Sequence, residues 1–376
     1  MERPPAESPF QDLPEGLVEE MLSQYETLGQ KLSEAMEEVK KSRTKVRESL
    51  AGHKLLKGDA TIIRSHVHPT SCGIDGSYAI ERLLSTDIAA MAAVAVEGLT
   101  PPSEKRYWPR PHHLSKVFTV QHNETTSLVV RAIMITMELE LAVKSPHDVV
   151  LLDGSLSTPA IHLNQALSRL NEASPDLSEL LVGRMSSTLQ AYGEILASKR
   201  TDKIYAGLPK YTSRNELSDI IGLPRHEDRA VLSQVLNGGE IVGPFEYRLQ
   251  QTPDWRFSGL PRDLQDEGAE VISQMRGLNV IYYRPAEHFP TLRIEVSPAV
   301  SSNQSRLSIL LESLQLQCSA AAIMEPYPLY LADRMVKHLS TAVPVIRRAT
   351  TQQMASATDQ DVGDIFLAMH GYRTES

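Results

Sequence analysis

Cysteine is all but missing: Cys72 and Cys318 are the only two in 376 residues. Two thiols build neither a disulfide framework nor a CxxC metal pair, so stability must come from an apolar core, and a reducing, intracellular compartment is expected. Both are read as core thiols. No apolar run reaches the length of a bilayer crossing, and "MERPPAESPFQDLPEG" lacks a basic segment leading into an apolar stretch. The expectation is a cytoplasmic protein with no membrane contact. A basic surplus is missing too, since 38 Lys and Arg stand against 47 Asp and Glu, a net charge of −9. That excludes a surface coated for nucleic acid, while a local basic groove around an acidic centre stays open.

Several chemistries are excluded in the same way. "LNGGEIVGP" has neither the GxGxxG of a dinucleotide fold nor the Lys-Ser/Thr ending of a P-loop, so the chain is not read as an ATPase. No GxSxG elbow occurs, and no His is nominated to activate Ser77 or Ser155, which leaves acyl transfer unsupported. His66 with His68, and His112 with His113, lie in Pro-containing segments without Cys or HExxH, so zinc is not supported.

What is present is a chain with 41% hydrophobic residues, enough for a large core, and a repeated tripeptide. "SCGIDGSYAIERL" and "DVVLLDGSLSTPA" each close an apolar run with Asp-Gly-Ser, at Asp75 and Asp153. Asp-Gly is common turn chemistry, so each copy reads as a strand exit; alternatively the two carboxylates converge on a metal.

A Pro-rich tail, taken as disordered (1–16), leads into a helical segment (17–60) whose apolar spacing and lack of internal Pro predict one helix over Leu17–Leu50. Its charged remainder is a solvated face or a partner-docking surface. "SCGIDGSYAIERLL" and "DIAAMAAVAVEGL" predict neighbouring strands, the Ala-rich second run being open to a helical reading. "RYWPRPHHLSKVFTVQH" predicts a loop, then a strand near "KVFTVQH". "NETTSLVVRAIMITMELELAVKSP" predicts a helix, "DVVLLDGSL" a buried strand, and Leu177–Ser198 another helix. "DKIYAGLPKYTSRNEL" predicts a strand entering a loop, "GLNVIYYRP" and "TLRIEVSP" an antiparallel pair, and "NQSRLSILLESLQLQCS" with "YLADRMVKHLSTAVPVIRRAT" closing helices. The main domain is set at 61–345, with 346–376 a tail or short helix.

Asp75 and Asp153 are thus placed at strand ends, with Glu138 and Glu140 on the intervening helix, two residues apart and facing different sides. Hard oxygen ligands on separate elements suit Mg²⁺ or Mn²⁺, and two such ions about 3.5–4 Å apart support phosphodiester hydrolysis.

In order along the chain, "GIDGS", the helix with "MELEL", "VVLLDGSL", "LPKYTSRNEL", "LRIEVSP" and "EPYPLYLADRM" resemble the NurA nuclease family over approximately Thr70 to Ser340. The resemblance implies an α/β fold with an RNase H-like mixed sheet flanked by helices, Mn²⁺-dependent DNA hydrolysis, a homodimer with a central channel, and a HerA-type hexameric translocase as partner in end resection. It also implies 5′ to 3′ exonuclease and single-strand endonuclease activity. Asp75 and Asp153 match the family's metal-binding Asp residues, Glu138 is chosen for the helix carboxylate with Glu140 its competitor, and Lys210 matches a family Lys. The chain departs from the pattern at "MEPYPLYLADR", where Glu325 stands at a Tyr position and Asp333 at a His position. Asp333 then completes the carboxylate set, as a last acidic residue on a C-terminal helix, or it pairs with Arg334 or caps a helix. Arg214, Tyr211, Arg106 and Trp108, with Arg110, are the candidate DNA contacts, since guanidinium and aromatic groups combine in single-strand grooves. The alternatives are a catalytically silent subunit that guides DNA for the translocase, and an RNase H-like enzyme acting on RNA or a hybrid.

Overall fold

The structure is a computed structural model describing residues 13–64, 68–84, 86–101, 106–210, 216–217, 227–246, 256–357 and 361–370. Among these, strands β1 (Leu56–Gly58), β2 (Ser71–Arg82), β3 (Asp87–Glu97), β4 (His112–Val120), β5 (Val149–Asp153), β6 (Ile204–Leu208), β7 (Glu240–Glu246), β8 (Asn279–Arg284) and β9 (Leu292–Val296) form one mixed sheet. Their order is β1-β7-β8-β9-β6-β5-β2-β3-β4. The central β2, β5 and β6 run parallel and the outer pairs antiparallel. Parallel neighbours need long crossovers, and helices supply them.

Among the described residues the α-helices are α1 (Glu15–Leu22), α2 (Tyr25–Gly52), α3 (Thr126–Lys144), α4 (Thr158–Ser168), α5 (Pro175–Ala197), α6 (Asp228–Val235), α7 (Gln265–Arg276), α8 (Pro298–Ser301), α9 (Gln304–Gln317), α10 (Tyr327–Lys337), α11 (Leu339–Ala357) and α12 (Val362–Ala368). No helix among the described residues is long and apolar enough to cross a membrane.

Strand alternation assigns each face its core. Ile74, Leu152, Tyr205 and Val280 meet α3, α4 and α5 through Ile133, Leu163 and Leu189. Leu151, Ala206, Ile281 and Ile294 meet α9 and α10 through Leu310, Leu314 and Leu329. Each such large aliphatic side chain, fully buried, stabilises by about 1.5–3 kcal/mol. Both cysteines are buried and free, and burial pushes the Cys72 thiol up to about 12, as inert core thiols require.

Three expectations change, and one open reading is settled. Asp75 does not end its strand: β2 continues to Arg82, because β3 pairs with its whole length and holds Asp75, Gly76 and Ser77 opposite Val94, Ala93 and Ala92. The Ala-rich run is that strand β3, whose small side chains let helices approach both faces. The N-terminal helix is two helices, since the Ser23 hydroxyl bonds back to the Glu20 carbonyl (2.7 Å) and α2 restarts at Tyr25. Strand β4 begins at His112, so the histidine pair belongs to an edge strand.

One glycine sets how closely α10 seats on the sheet. A Cβ at Gly73 would lie 2.5 Å from the Leu329 nitrogen and from the Pro328 carbonyl carbon, both backbone atoms that cannot rotate away. Gly73→Ala is expected to lift the first turn of α10 from β2 and cost about 1–3 kcal/mol. A fall of several degrees in thermal midpoint checks this; an unchanged melt contradicts it.

Candidate metal centre

The parallel pairing of β2 and β5 seats Ile74 beside Leu152, so Asp75 and Asp153 follow one residue later on adjacent strands and on the same face. The two Asp-Gly-Ser copies then diverge. At Asp153 the strand ends and Gly154 turns away with φ of +98°, a conformation that favours glycine. At Asp75 the chain runs on, and what Gly76 provides is space. A Cβ there would stand 2.5 Å from Glu138 Oε1 and 2.9 Å from Met134 Cγ of α3. The missing side chain admits Glu138 from the opposite face of the sheet. The Gly76 N–H donates to Asp75 Oδ1 (2.8 Å).

From the other side α10 delivers Asp333. One carboxylate oxygen from each of Asp75, Asp153 and Asp333 lies within 4.8 Å of the others. Lys210, just past the end of β6, donates to Asp153 (2.9 Å) and Glu325 (2.9 Å) and stands 3.4 Å from Asp333. Three carboxylates therefore meet the Lys210 ammonium, Asp75 and Glu138 add two more acids to the cluster, and Lys337 pairs with Asp333 from the exposed side at 2.6 Å.

The electrostatics follow from that imbalance. Burial, then the charge of Asp153, raises the Asp75 pKa above the usual carboxylate range. Glu138 is raised well above it by burial and by Asp75 and Asp153. Burial also raises Asp153, outweighing the pull of Lys210. For Lys210 burial acts downward, but Asp153 and Glu325 outweigh it and hold the ammonium charged. An all-oxygen donor set with surplus negative charge fits a hard divalent cation such as Mg²⁺ or Mn²⁺.

Residues 69–337 match the profile of the NurA domain. The chain belongs to the NurA family. Its fold is similar to that of the NurA nuclease from Sulfolobus solfataricus, with 13% identity and a TM-score of 0.61 over 93% of this chain and 100% of that one. It is also similar to NurA bound to dAMP and manganese, with 14% identity and a TM-score of 0.58 over 92% and 99% of the two chains. A NurA structure with manganese gives 13% identity and a TM-score of 0.56 over 90% and 99%. No curated protein matches this chain in sequence.

Within this NurA domain the structure gathers Asp75, Glu138, Asp153, Lys210, Glu325 and Asp333. Glu140 points elsewhere, bound by Lys144 (2.5 Å) and Arg184 (2.6 Å), whereas Glu138 reaches the cluster over Gly76. Asp333 neither caps its helix nor pairs with Arg334, which lies against the Tyr330 ring. Arg106 and Trp108 are not brought to the cluster. Trp108 stacks on His112 and packs edge-on to His147, just before β5, whereas Asp153 ends that strand. His68 faces Glu312 (3.2 Å), away from the carboxylates. His66, Tyr211 and Arg214 lie outside the described residues.

The residues that sequence reading missed surround Asp153 from behind. Glu295 and Arg293, both at most 1% exposed, form a buried ion pair on β9. The signal was there in "LRIEV": two charges at i and i+2 place both on one face of a strand that is otherwise apolar.

The raised carboxylates give a pH prediction for the metal-free protein. Above about pH 4 the unfolded chain has released protons that folded Asp75 and Glu138 still hold, so their contribution is full below that range and is lost as pH rises through the folded pKa values. With EDTA present, the thermal midpoint should be lower at pH 8 than at pH 5, and Asp75→Asn should flatten the difference. A variant with the same pH slope as the parent contradicts the assigned electrostatics.

Proposed function

We propose that this chain is a Mn²⁺-dependent DNA nuclease with a two-metal phosphodiester hydrolase site, Mg²⁺ being the alternative ion. The observation that carries the reading is the convergence of Asp75, Asp153 and Asp333 oxygens within 4.8 Å, with Glu138 entering through the space at Gly76. Asp75, Asp153 and Glu138 are the residues that would hold the metal, with Asp333 as fourth member of the site. Divalent cations would offset the negative charge that Lys210 and Lys337 leave unbalanced among these carboxylates. Such ions supply the charge that activates water and stabilises the leaving oxygen of a phosphodiester. Lys210 holds Asp153 and Glu325 in place and adds positive charge beside an incoming phosphate. Manganese and dAMP in a structure of similar fold support both the ion and a nucleotide product.

The silent DNA-guiding subunit draws on the replaced Tyr and His positions. Against it, Glu325 and Asp333 are turned onto the same lysine as Asp153 instead of being released to solvent. An RNase H-like relationship, 5′ to 3′ polarity and a HerA-type translocase partner are proposed from the family resemblance alone. The nuclease domain is proposed as 61–345, enclosing the matched residues 69–337.

A homodimer is proposed with support from the N-terminal helices. Leu17, Met21, Leu28, Leu32 and Met36 are exposed large apolar residues spaced along α1 and α2. The helical segment starts acidic (Glu15, Glu19, Glu20, Glu26) and turns basic toward its end (Lys40, Lys41, Lys45), so two copies crossing antiparallel would match charge while covering the apolar stripe.

Mn²⁺ titration against a 5′-labelled duplex tests the enzyme reading. Nucleotide release that saturates with Mn²⁺ is expected, and Asp75→Ala or Asp153→Ala should lower it more than about 100-fold with the circular dichroism unchanged. Full activity in both variants, or binding without cleavage in the parent, sinks it. Leu28→Glu with Leu32→Glu is expected to give monomers by light scattering; an unchanged dimer mass rules out the helix seam.

A further inference from the structure

We infer that Glu295, oriented by Arg293, is a positioning residue for Asp153, and that Ser155 is the hydroxyl through which it acts. The inference rests on the nuclease reading for its turnover readout and is independent of it for metal binding.

Glu295 has no exposed surface, and its carboxylate is saturated by the segment that follows Asp153. The Ser155 hydroxyl donates to it, lying 2.9 and 2.8 Å from its two oxygens, and the Leu156 N–H donates to Oε2 at 2.7 Å. The Arg293 guanidinium donates to the remaining side. Ser155 Oγ in turn accepts from the Ser157 N–H at 3.2 Å and meets the Ser157 hydroxyl at 2.9 Å.

Arg293 is anchored as well. Its second Nη donates to Glu216 (2.6 Å), whose other oxygen accepts from Tyr282 (2.7 Å). Gly207, the β6 residue opposite Glu295, completes the seat: a Cβ there would fall 2.9 Å from the Gly154 carbonyl and 2.8 Å from Leu156 Cγ. Gly154–Leu156 therefore lies flat on β6, with its hydroxyl and amide clasped from β9.

A buried ion pair is a poor device for stability, because taking both charges out of water offsets their attraction and apolar side chains fill the same space as well. Apolar side chains cannot hold a hydroxyl and an amide two and three residues beyond a metal ligand. Gly154, with φ of +98°, is the only residue between Asp153 and that clasp, so freedom of Ser155 becomes freedom of the Asp153 carboxylate. The downstream Asp-Gly-Ser thus divides its labour: Asp153 for the ion, Gly154 for the turn, Ser155 for the anchor.

The test uses the full chain with Ser155→Ala, Ser155→Thr and Glu295→Gln. Free Mn²⁺ measured by electron paramagnetic resonance gives affinity, melting gives stability, and labelled DNA gives kcat and KM. Ser155→Ala should weaken Mn²⁺ binding about tenfold and lower kcat by a similar factor, with KM for DNA little changed. Ser155→Thr should restore most of both, and Glu295→Gln should fall in the same direction as Ser155→Ala. Parental Mn²⁺ affinity in Ser155→Ala, whatever its melting temperature, overturns the clasp. If the parent binds Mn²⁺ and cleaves nothing, the nuclease reading fails and the affinities alone decide the inference; a parent that binds no Mn²⁺ overturns the clasp, since no metal ligand is then being positioned.

Discussion

Parallel pairing of β2 with β5, in the register that sets Ile74 beside Leu152, brings Asp75 and Asp153 together against their own repulsion. Everything else at the centre serves or follows from that juxtaposition. The apolar runs before each Asp are buried in cores on both faces, so a slip of one residue would turn each strand inside out. Core packing therefore fixes the register, and the register fixes where the charges meet. Close approach from both faces is then needed for the remaining carboxylates. Glycines make it available, Gly76 for Glu138 on α3 and Gly73 for the helix that carries Asp333.

A cluster of this kind is electrostatically incomplete by itself. Asp75, Glu138 and Asp153 all favour protonation in the fold, and Lys210 with Lys337 cannot balance five acids. The fold thus holds in place a group of charges whose natural complement is multivalent and positive. The buried Arg293–Glu295 pair differs in kind: its charges satisfy one another and the backbone, and they point their residual bonding at the loop after Asp153. One network is strained toward a ligand, and the other is closed and serves as a frame.

Much of this could be read from sequence, and the failures have physical causes. Apolar period and β-branched runs located β5, β8 and β9, and strand-helix-strand order brought Asp75, Glu138 and Asp153 to one list of candidates. Asp75 was misplaced at a strand end because Asp-Gly-Ser carries the same turn chemistry wherever it occurs; only pairing with β3, which the tripeptide itself does not encode, keeps the first copy extended. Helix phase alone could not choose between Glu138 and Glu140, since the answer depends on a missing Cβ on another element. Trp108 carried the composition of a nucleic-acid groove, yet its ring is used to pack His112 and His147. Glu295 was overlooked because an acidic residue inside an apolar strand looks like noise until its partners on other strands are known.

The most direct measurement is a crystal of the protein soaked in Mn²⁺, with data collected at the manganese absorption edge. Anomalous peaks ligated by Asp75 and Asp153, with Glu138 or Asp333 completing the shell, are the result this account predicts. A crystal that binds Mn²⁺ elsewhere while Lys210 remains locked among Asp153, Glu325 and Asp333 would contradict it.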